Sequence, residues 1–337
     1  MACALDRRTF LVGTATTLGA ACLSAAPSVT SPAQAGQSTT LTLGRRTIEV
    51  NGRSASVFGI RQPDGTSGLF LNSGQPFRVD VVNDIGEDTS IHWHGQKPPY
   101  LQDGVADRNV PLIAAGNMQS YEFPATPGTH WMHSHHGVQE QALLAAPLIV
   151  RSAEDEAADV QEVTILLHDF SFRPPEEILA GLIGGSTAGG HGMSGMEMGD
   201  RGGMAGMDHA GMGHSGLGGM AGMPMGMDLN DVEYDAFLAN DRTLGDPMVV
   251  RVERTGRVRL RIINGAASSA FWIDLGGLVG KVVAVDGNAV VPVAGRRFPI
   301  AIAQRLDLTV EVPAGAFPVF AQVEGMIGPH RLVRLEC

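Results

Sequence analysis

The sequence is short of cysteine, of aromatic side chains and of net positive charge. Only 3 of its 337 residues are cysteines: Cys3 and Cys22 lie in an N-terminal apolar stretch, and Cys337 is the last residue. Once that stretch is removed, no intramolecular disulfide can form. The formal net charge of −11 argues against a nucleic-acid partner, because such binding depends on basic contacts to phosphates.

The N-terminus resembles a twin-arginine export signal. Arg7 and Arg8 precede Phe10, an apolar run follows, and "AQA" at 33–35 is a small-residue cleavage site. We therefore expect residues 1–35 to be a signal peptide and the mature protein to be periplasmic. The apolar run is too short for stable membrane insertion. A lipoprotein anchor at Cys22 is disfavoured, because Gly19, three residues earlier, stands where leucine would be expected.

Beyond the predicted signal peptide, the sequence also lacks any long stretch in which apolar residues recur with the period of a helix. Stretches in which apolar and polar residues alternate are common instead. Apolar and polar residues alternate in "PFRVDVVN", "GRVRLRIIN" and "LDLTVEVP", which is typical of half-buried strands. The sequence predicts an all-β protein of two Greek-key sandwich or barrel domains, at residues 38–152 and 160–337. The acidic stretch "SAEDEAAD" between them is interpreted as a linker.

One segment breaks this pattern. Residues 181–227 hold 18 of the 44 glycines and 10 of the 15 methionines. A segment of this composition cannot bury enough surface to offset the conformational entropy lost on ordering. We predict a disordered, Met-rich insertion at 184–227 in the second domain. Thioethers favour Cu(I), so the segment is a candidate Cu(I) site; the alternative is a low-complexity linker. The candidate ligands are Met193, Met196, Met198, Met204, Met207, Met212, Met220, Met223, Met225 and Met227, with His191, Asp208, His209 and His214.

Two histidine pairs occur in the first domain, in "IHWHG" at 91–95 and "HWMHSHHG" at 130–137. Residues i and i+2 of a strand face the same side, about 7 Å apart. Two adjacent strands of this kind would bring together His92, His94, His133 and His135. Neutral imidazole suits copper, zinc, nickel and iron, so the pairs predict a metal site without choosing the metal.

The remaining histidines are assigned weaker roles. His136 would face away from the site if its strand continues. The isolated residues His130, His168 and His330 are expected either to support a ligand or to lie at the surface.

The paired motifs, with "QDGV" at 102–105 and "VDGNAV" at 285–290, resemble the multicopper oxidases, the family of laccases and cuprous oxidases. The resemblance implies cupredoxin-like domains and oxidation of a substrate coupled to reduction of O2 to water. It assigns His92 to a type 2 copper and His94, His133 and His135 to a type 3 pair. It also places Asp103 near the copper cluster, in proton delivery; an ordinary Asp-Gly turn is the alternative.

The sequence departs from the family pattern in its second half. It contains no His-Cys-His motif, and no His-X-His pair follows His136, so the type 1 copper site and half of the cluster ligands are missing. We therefore expect a truncated oxidase that is inactive alone, or one completed by a partner with the third domain or by a homo-oligomer. Whether the chain itself is an enzyme stays open.

Three functions remain after this comparison. The chain is part of an exported oxidase of Cu(I) or phenols, or a periplasmic copper-sequestering protein, or a non-catalytic pseudo-oxidase. The Met-rich segment favours Cu(I) over phenols as substrate. The retained histidine pairs count against the pseudo-oxidase.

Overall fold

The computed structural model describes residues 38–158, 160–188, 232–252, 256–325 and 330–336, with the backbone alone for 184–188 and 330–336. The predicted signal peptide and the ten methionines of the insertion lie outside these ranges. The described residues are dominated by β-strands, so the all-β prediction is confirmed.

Eight strands form the first pair of sheets. One sheet has the order β2-β1-β4-β6 and the other the order β3-β8-β7-β5. A two-residue Asn51-Gly52 turn joins β1 to β2; both residues have positive φ, which suits the twist of the hairpin. The strands are β1 (Thr39–Val50), β2 (Arg53–Arg61), β3 (Leu69–Leu71), β4 (Phe77–Asp84), β5 (His92–His94), β6 (Met118–Phe123), β7 (Gly128–His133) and β8 (Ala145–Val150).

Eleven further strands form the second pair, with the orders β10-β9-β12-β17-β14-β15 and β11-β19-β18-β13-β16. They are β9 (Gln161–Phe170), β10 (Ala236–Ala239), β11 (Met248–Arg251), β12 (Arg257–Asn264), β13 (Phe271–Asp274), β14 (Gly280–Val285), β15 (Asn288–Gly295), β16 (Arg297–Ile300), β17 (Arg305–Glu311), β18 (Ala316–Val323) and β19 (His330–Glu336).

Each pair of sheets encloses its own apolar core. In the first, the predicted alternation of β4 holds: Phe77 is buried and stacks on Phe123, with ring centroids 4.1 Å apart. Trp93 meets the same Phe77 ring edge-on at 4.9 Å. Burial of these aromatic rings anchors β5 to the core.

The two pairs of sheets meet along β7 and β8 on one side and β9, β12 and β17 on the other. Trp131 and Ile149 pack there against Leu166 and Ile263. At this interface the predicted polar face of β12 is not solvent-exposed, since the Arg261 side chain is completely buried. Alternation predicted the strand correctly but could not show that a second layer covers its other face.

Two helices depart from the sequence-based expectations. The acidic linker forms a short helix, α1 (Ala153–Ala157), with a capping box between Ser152 and Asp155. A longer helix, α2 (Pro175–Ala188), contradicts the absence of helical periods and includes the predicted start of the insertion at residue 184. The glycines and β-branched residues near its end weaken its sequence signal. No helix among the described residues has the length and apolar character needed to cross a membrane.

Candidate metal centre

The two histidine pairs meet because β5 and β7 are antiparallel neighbours. His92 lies opposite His133, and His94 lies opposite Trp131. Trp93 and Met132, between them, point into the core and are completely buried. The two-residue period therefore directs the imidazoles to one face and their apolar neighbours to the other.

The four rings form a compact group. The His92 centroid lies 5.7 Å from that of His94, 5.6 Å from that of His133 and 4.9 Å from that of His135. One ring nitrogen each from His92, His133 and His135 lies within 4.8 Å of the others. His94 joins through its Nδ1, 3.4 Å from Nε2 of His133. Although β7 ends at His133, His135 still reaches the group.

The Asp-Gly turn fixes the orientation of His92. Its Nδ1 lies 3.0 Å from the main-chain oxygen of Asp103 and 3.6 Å from the carboxylate of the same residue. With Nδ1 donating to that oxygen, Nε2 is left as the lone-pair donor toward the other rings. Asp103 thus lies beside His92, and its role in proton delivery stays a prediction.

His133 is held on two sides. Its ring stacks on Trp131, with centroids 4.0 Å apart and an interplanar angle of 11°. Its Nδ1 lies 2.8 Å from Oε2 of Glu140. Sequence reasoning missed Glu140, because a single glutamate in a turn carries no periodic signal.

The environment disfavours the charged form of three of the four imidazoles. Burial lowers the pKa of His92, and burial together with the charge of Arg305 lowers the pKa of His94 to about 3. Partial burial among neighbouring rings also lowers the pKa of His135, although the residue is exposed. Neutral imidazoles with free ring nitrogens are what a copper ion requires, so the donor set fits copper.

Arg305, from the second pair of sheets, lies close behind the first histidine motif. A Cβ atom at Gly95 would lie 2.6 Å from Nη2 of Arg305 and 2.4 Å from Nδ1 of His130. Glycine, with φ of 90°, is therefore required where the chain leaves β5. Arg305 was also missed by sequence reasoning, because only the fold brings its strand to the histidines.

The isolated histidines lie elsewhere in the fold. His130 is buried at the junction of the two pairs of sheets, and its Nε2 donates to the Thr126 main-chain oxygen at 3.1 Å. His168 is buried too, with Nδ1 2.9 Å from the main-chain oxygen of Gly265. His136 is half-buried and outside the group of four, and the side chain of His330 lies outside the described residues.

We expect the metal-free protein to lose stability as the pH falls from about 6.5 to about 4. Burial lowers the pKa of His130 to about 4, so the unfolded chain takes up this proton at a higher pH than the folded chain. The stability is complete above the unfolded pKa and is lost toward the folded pKa. For His130 the loss is on the order of 3 kcal/mol. Denaturant unfolding at several pH values should show the fall, and His130→Gln should make it shallower; an unchanged slope would contradict the assignment.

Comparison with known proteins supports the same chemistry. Two sequence-family models, both described as multicopper oxidase, match residues 44–155 and 211–332, together more than half of the chain. The chain belongs to the multicopper oxidase family. The family implies a copper cofactor, and the prediction of multicopper oxidase resemblance is confirmed.

Relatives in this family include proteins named for copper resistance. Copper resistance protein A of Escherichia coli is 32% identical over 94% of this chain and 54% of its own length. A copper resistance protein A homologue of Pseudomonas syringae is 30% identical over 84% of this chain and 48% of its own. Multicopper oxidase MmcO of Mycobacterium tuberculosis is 28% identical over 75% of this chain and 47% of its own length. The chain spans about half the length of these relatives.

Solved structures of the family share the fold. The blue copper oxidase of Nitrosomonas europaea aligns with a TM-score of 0.63 at 19% identity, over 88% of this chain and 84% of that chain. A multi-copper oxidase of Pseudomonas thermotolerans aligns with a TM-score of 0.62 at 21% identity, over 89% and 63%. The expected pair of cupredoxin-like domains is thereby confirmed.

Proposed function

We propose that this chain supplies the first half of an oxidase copper cluster, in an exported oxidoreductase that couples oxidation of Cu(I) or phenols to reduction of O2. The observation that carries the proposal is the convergence of ring nitrogens from His92, His133 and His135 within 4.8 Å. Histidines placed only for core packing would have no reason to turn ring nitrogens toward one another. Here three rings do so, and one of them, His135, is exposed.

The family pattern supplies the individual roles within this proposal. His92 would hold a type 2 copper, and His94, His133 and His135 a type 3 pair; the 3.4 Å approach of His94 to His133 supports a shared site. Copper held by these residues would supply one-electron chemistry for the reduction of O2 to water. Within this proposal Asp103, 3.6 Å from Nδ1 of His92, would hold and pass a proton that this reduction consumes.

We also propose that the chain does not turn over alone. A type 1 copper needs a Cys thiolate with histidines, and the sequence has no His-Cys-His motif. Ligands from a third domain, another chain or a second copy would have to complete the site. The side chains of Tyr100 and Leu101, which shortly precede Asp103 in the chain, are exposed and would offer such a partner an apolar contact.

A second function, copper sequestration in the periplasm, is favoured by a separate observation. Ten methionines fall within residues 181–227, and thioethers are soft ligands for Cu(I). The twin arginines of the sequence support an exported location for either function. The two functions are compatible in one protein, since they use different residues and different copper oxidation states.

Titration of the intact chain and of a variant lacking residues 191–227 separates the two functions. We expect the intact chain to bind Cu(II) at the histidines and several Cu(I) ions at the methionines, without oxidising Cu(I) or phenols under air. The deletion should remove most Cu(I) binding and leave one Cu(II) site. Competition with a Cu(I) chelator and calorimetry with Cu(II) measure both. Unchanged Cu(I) stoichiometry would refute sequestration, and loss of the Cu(II) site from a folded variant would refute the histidine cluster.

A further inference from the structure

The turn that follows the second histidine pair carries a carboxylate to the back of the metal centre. Oε2 of Glu140 lies 2.8 Å from Nδ1 of His133, and the contact is largely shielded, with side-chain exposures of 22% and 5%. The Ser134 main-chain oxygen, at 3.3 Å, is a more distant second acceptor for the same nitrogen. The short contact to the carboxylate is therefore the dominant interaction of that nitrogen.

The turn itself is anchored, so Glu140 is not a free surface side chain. The neighbouring Gln139 is buried and accepts hydrogen bonds from the hydroxyls of Thr89 (2.6 Å) and Ser134 (2.8 Å). Its amide nitrogen donates to the main-chain oxygen of Asp88 at 2.9 Å. These bonds fix the turn against the loop that leads into β5, the strand of the first histidine pair.

The two contacts of His133 act on different degrees of freedom. Stacking on Trp131 fixes the plane of the ring, but it does not distinguish the two ring nitrogens. A carboxylate can only accept from Nδ1, so a ring proton is held there and Nε2 is the nitrogen that can offer a lone pair. That Nε2 is the nitrogen 3.4 Å from His94, on the side of the metal centre.

We infer that Glu140 is the positioning residue of the metal centre: it selects the tautomer of His133 that binds metal through Nε2. The inference rests on the proposed copper cluster and adds a residue that does not itself contact the metal. A carboxylate behind a ligating imidazole fixes its orientation and raises its basicity, and loss of such a partner weakens metal binding about 10- to 100-fold.

The full chain with single substitutions at Glu140 tests this inference. In Glu140→Ala the metal-free protein should show a mixture of His133 tautomers by two-bond ¹H–¹⁵N correlation, where the wild type shows the proton on Nδ1. Its affinity for Cu(II), taken from the component of the isotherm that the His92→Ala/His135→Ala double variant removes, should fall about 10- to 100-fold. Glu140→Gln keeps an acceptor without the charge, so it should retain the tautomer and lose less affinity. Gln141→Ala, the next residue of the turn, should match the wild type in both measurements.

The outcomes distinguish this inference from the proposed function. If Glu140→Ala leaves the Cu(II) affinity unchanged while the His92→Ala/His135→Ala double variant abolishes it, the positioning role is wrong and the cluster stands. If the double variant itself binds Cu(II) as tightly as the wild type, the proposed cluster is wrong. If Glu140→Ala does not fold, Glu140→Gln decides: a measurable loss of affinity supports the inference, and wild-type affinity overturns it.

Discussion

Replacing Arg261 by methionine is expected to lower the free energy of unfolding by about 3 kcal/mol. The guanidinium is completely buried and contacts three carboxylates: Glu162 at 2.6 Å, Asp307 at 3.0 Å and Asp155 at 3.1 Å. Removing one partner of a buried ionic network leaves charges that are neither solvated nor paired, which costs about 3–5 kcal/mol.

The lower end of that range applies because Arg259 remains. It still pairs with Asp307 at 2.6 Å and contacts Asp155, so the network loses one of two arginines. Equilibrium denaturation in urea measures the change. Arg257→Met, at the exposed start of the same strand, is the matched control and should change stability by less than about 0.5 kcal/mol. A loss below about 1 kcal/mol for Arg261→Met would show that the network is not a stabilising element of the interface.

Arg261 is also connected to the metal centre, because it contacts the strand that carries His133. Nη1 of Arg261 donates to the Thr129 hydroxyl at 3.0 Å, and Thr129 lies on β7, which ends at His133. Nε of Arg305 also donates to the Thr129 main-chain oxygen, at 3.2 Å. The second pair of sheets therefore supports the strand that carries His133 and leads to His135. This explains why Arg261 of β12 and Arg305 of β17 are buried rather than solvated.

The sequence predicted what depends on local periodicity and spacing. The pairs His92/His94 and His133/His135 each occupy alternate positions, so any strand containing them presents both imidazoles on one side. The alternation in β4 and β12 likewise predicted strands where the structure has them. Residues that act across the fold carried no such signal. Arg305 and His133 are far apart in the chain, and only the pairing of whole sheets brings their strands together.

Predictions from local sequence were wrong where the same pattern is compatible with two structures. An arginine that alternates with apolar residues usually faces solvent, yet Arg261 is buried because a second layer supplies its carboxylates. The glycine-rich residues that precede the Met-rich segment did not indicate a helix, yet α2 continues to residue 188. The first turn of α2 has Pro175 followed by Glu176 and Glu177, a pattern typical of helix N-termini. This local signal indicates a helix even within a chain that is otherwise β.

Replacing His92 and His135 together by alanine is expected to abolish the Cu(II) site and leave the fold intact. These two rings supply two of the three nitrogens that lie within 4.8 Å of one another, so only His133 of that trio would remain, with His94 beside it. The affinity should fall by more than about 100-fold, beyond the effect of losing a supporting residue. Neither side chain is fully buried, so the metal-free stability should change by less than about 1 kcal/mol.

His133 is a poorer choice for this test, because it is buried and stacked on Trp131, and its loss would also leave a cavity. The measurement is best made in the background lacking residues 191–227, since that segment holds three further histidines. Calorimetric titration with Cu(II), beside a thermal unfolding scan of the metal-free protein, reads both quantities. His136→Ala, adjacent in sequence but outside the group of four, should bind like its parent. If the double variant retains the Cu(II) site, or if its metal-free form unfolds while His136→Ala does not, these histidines are structural and the proposed cluster is wrong.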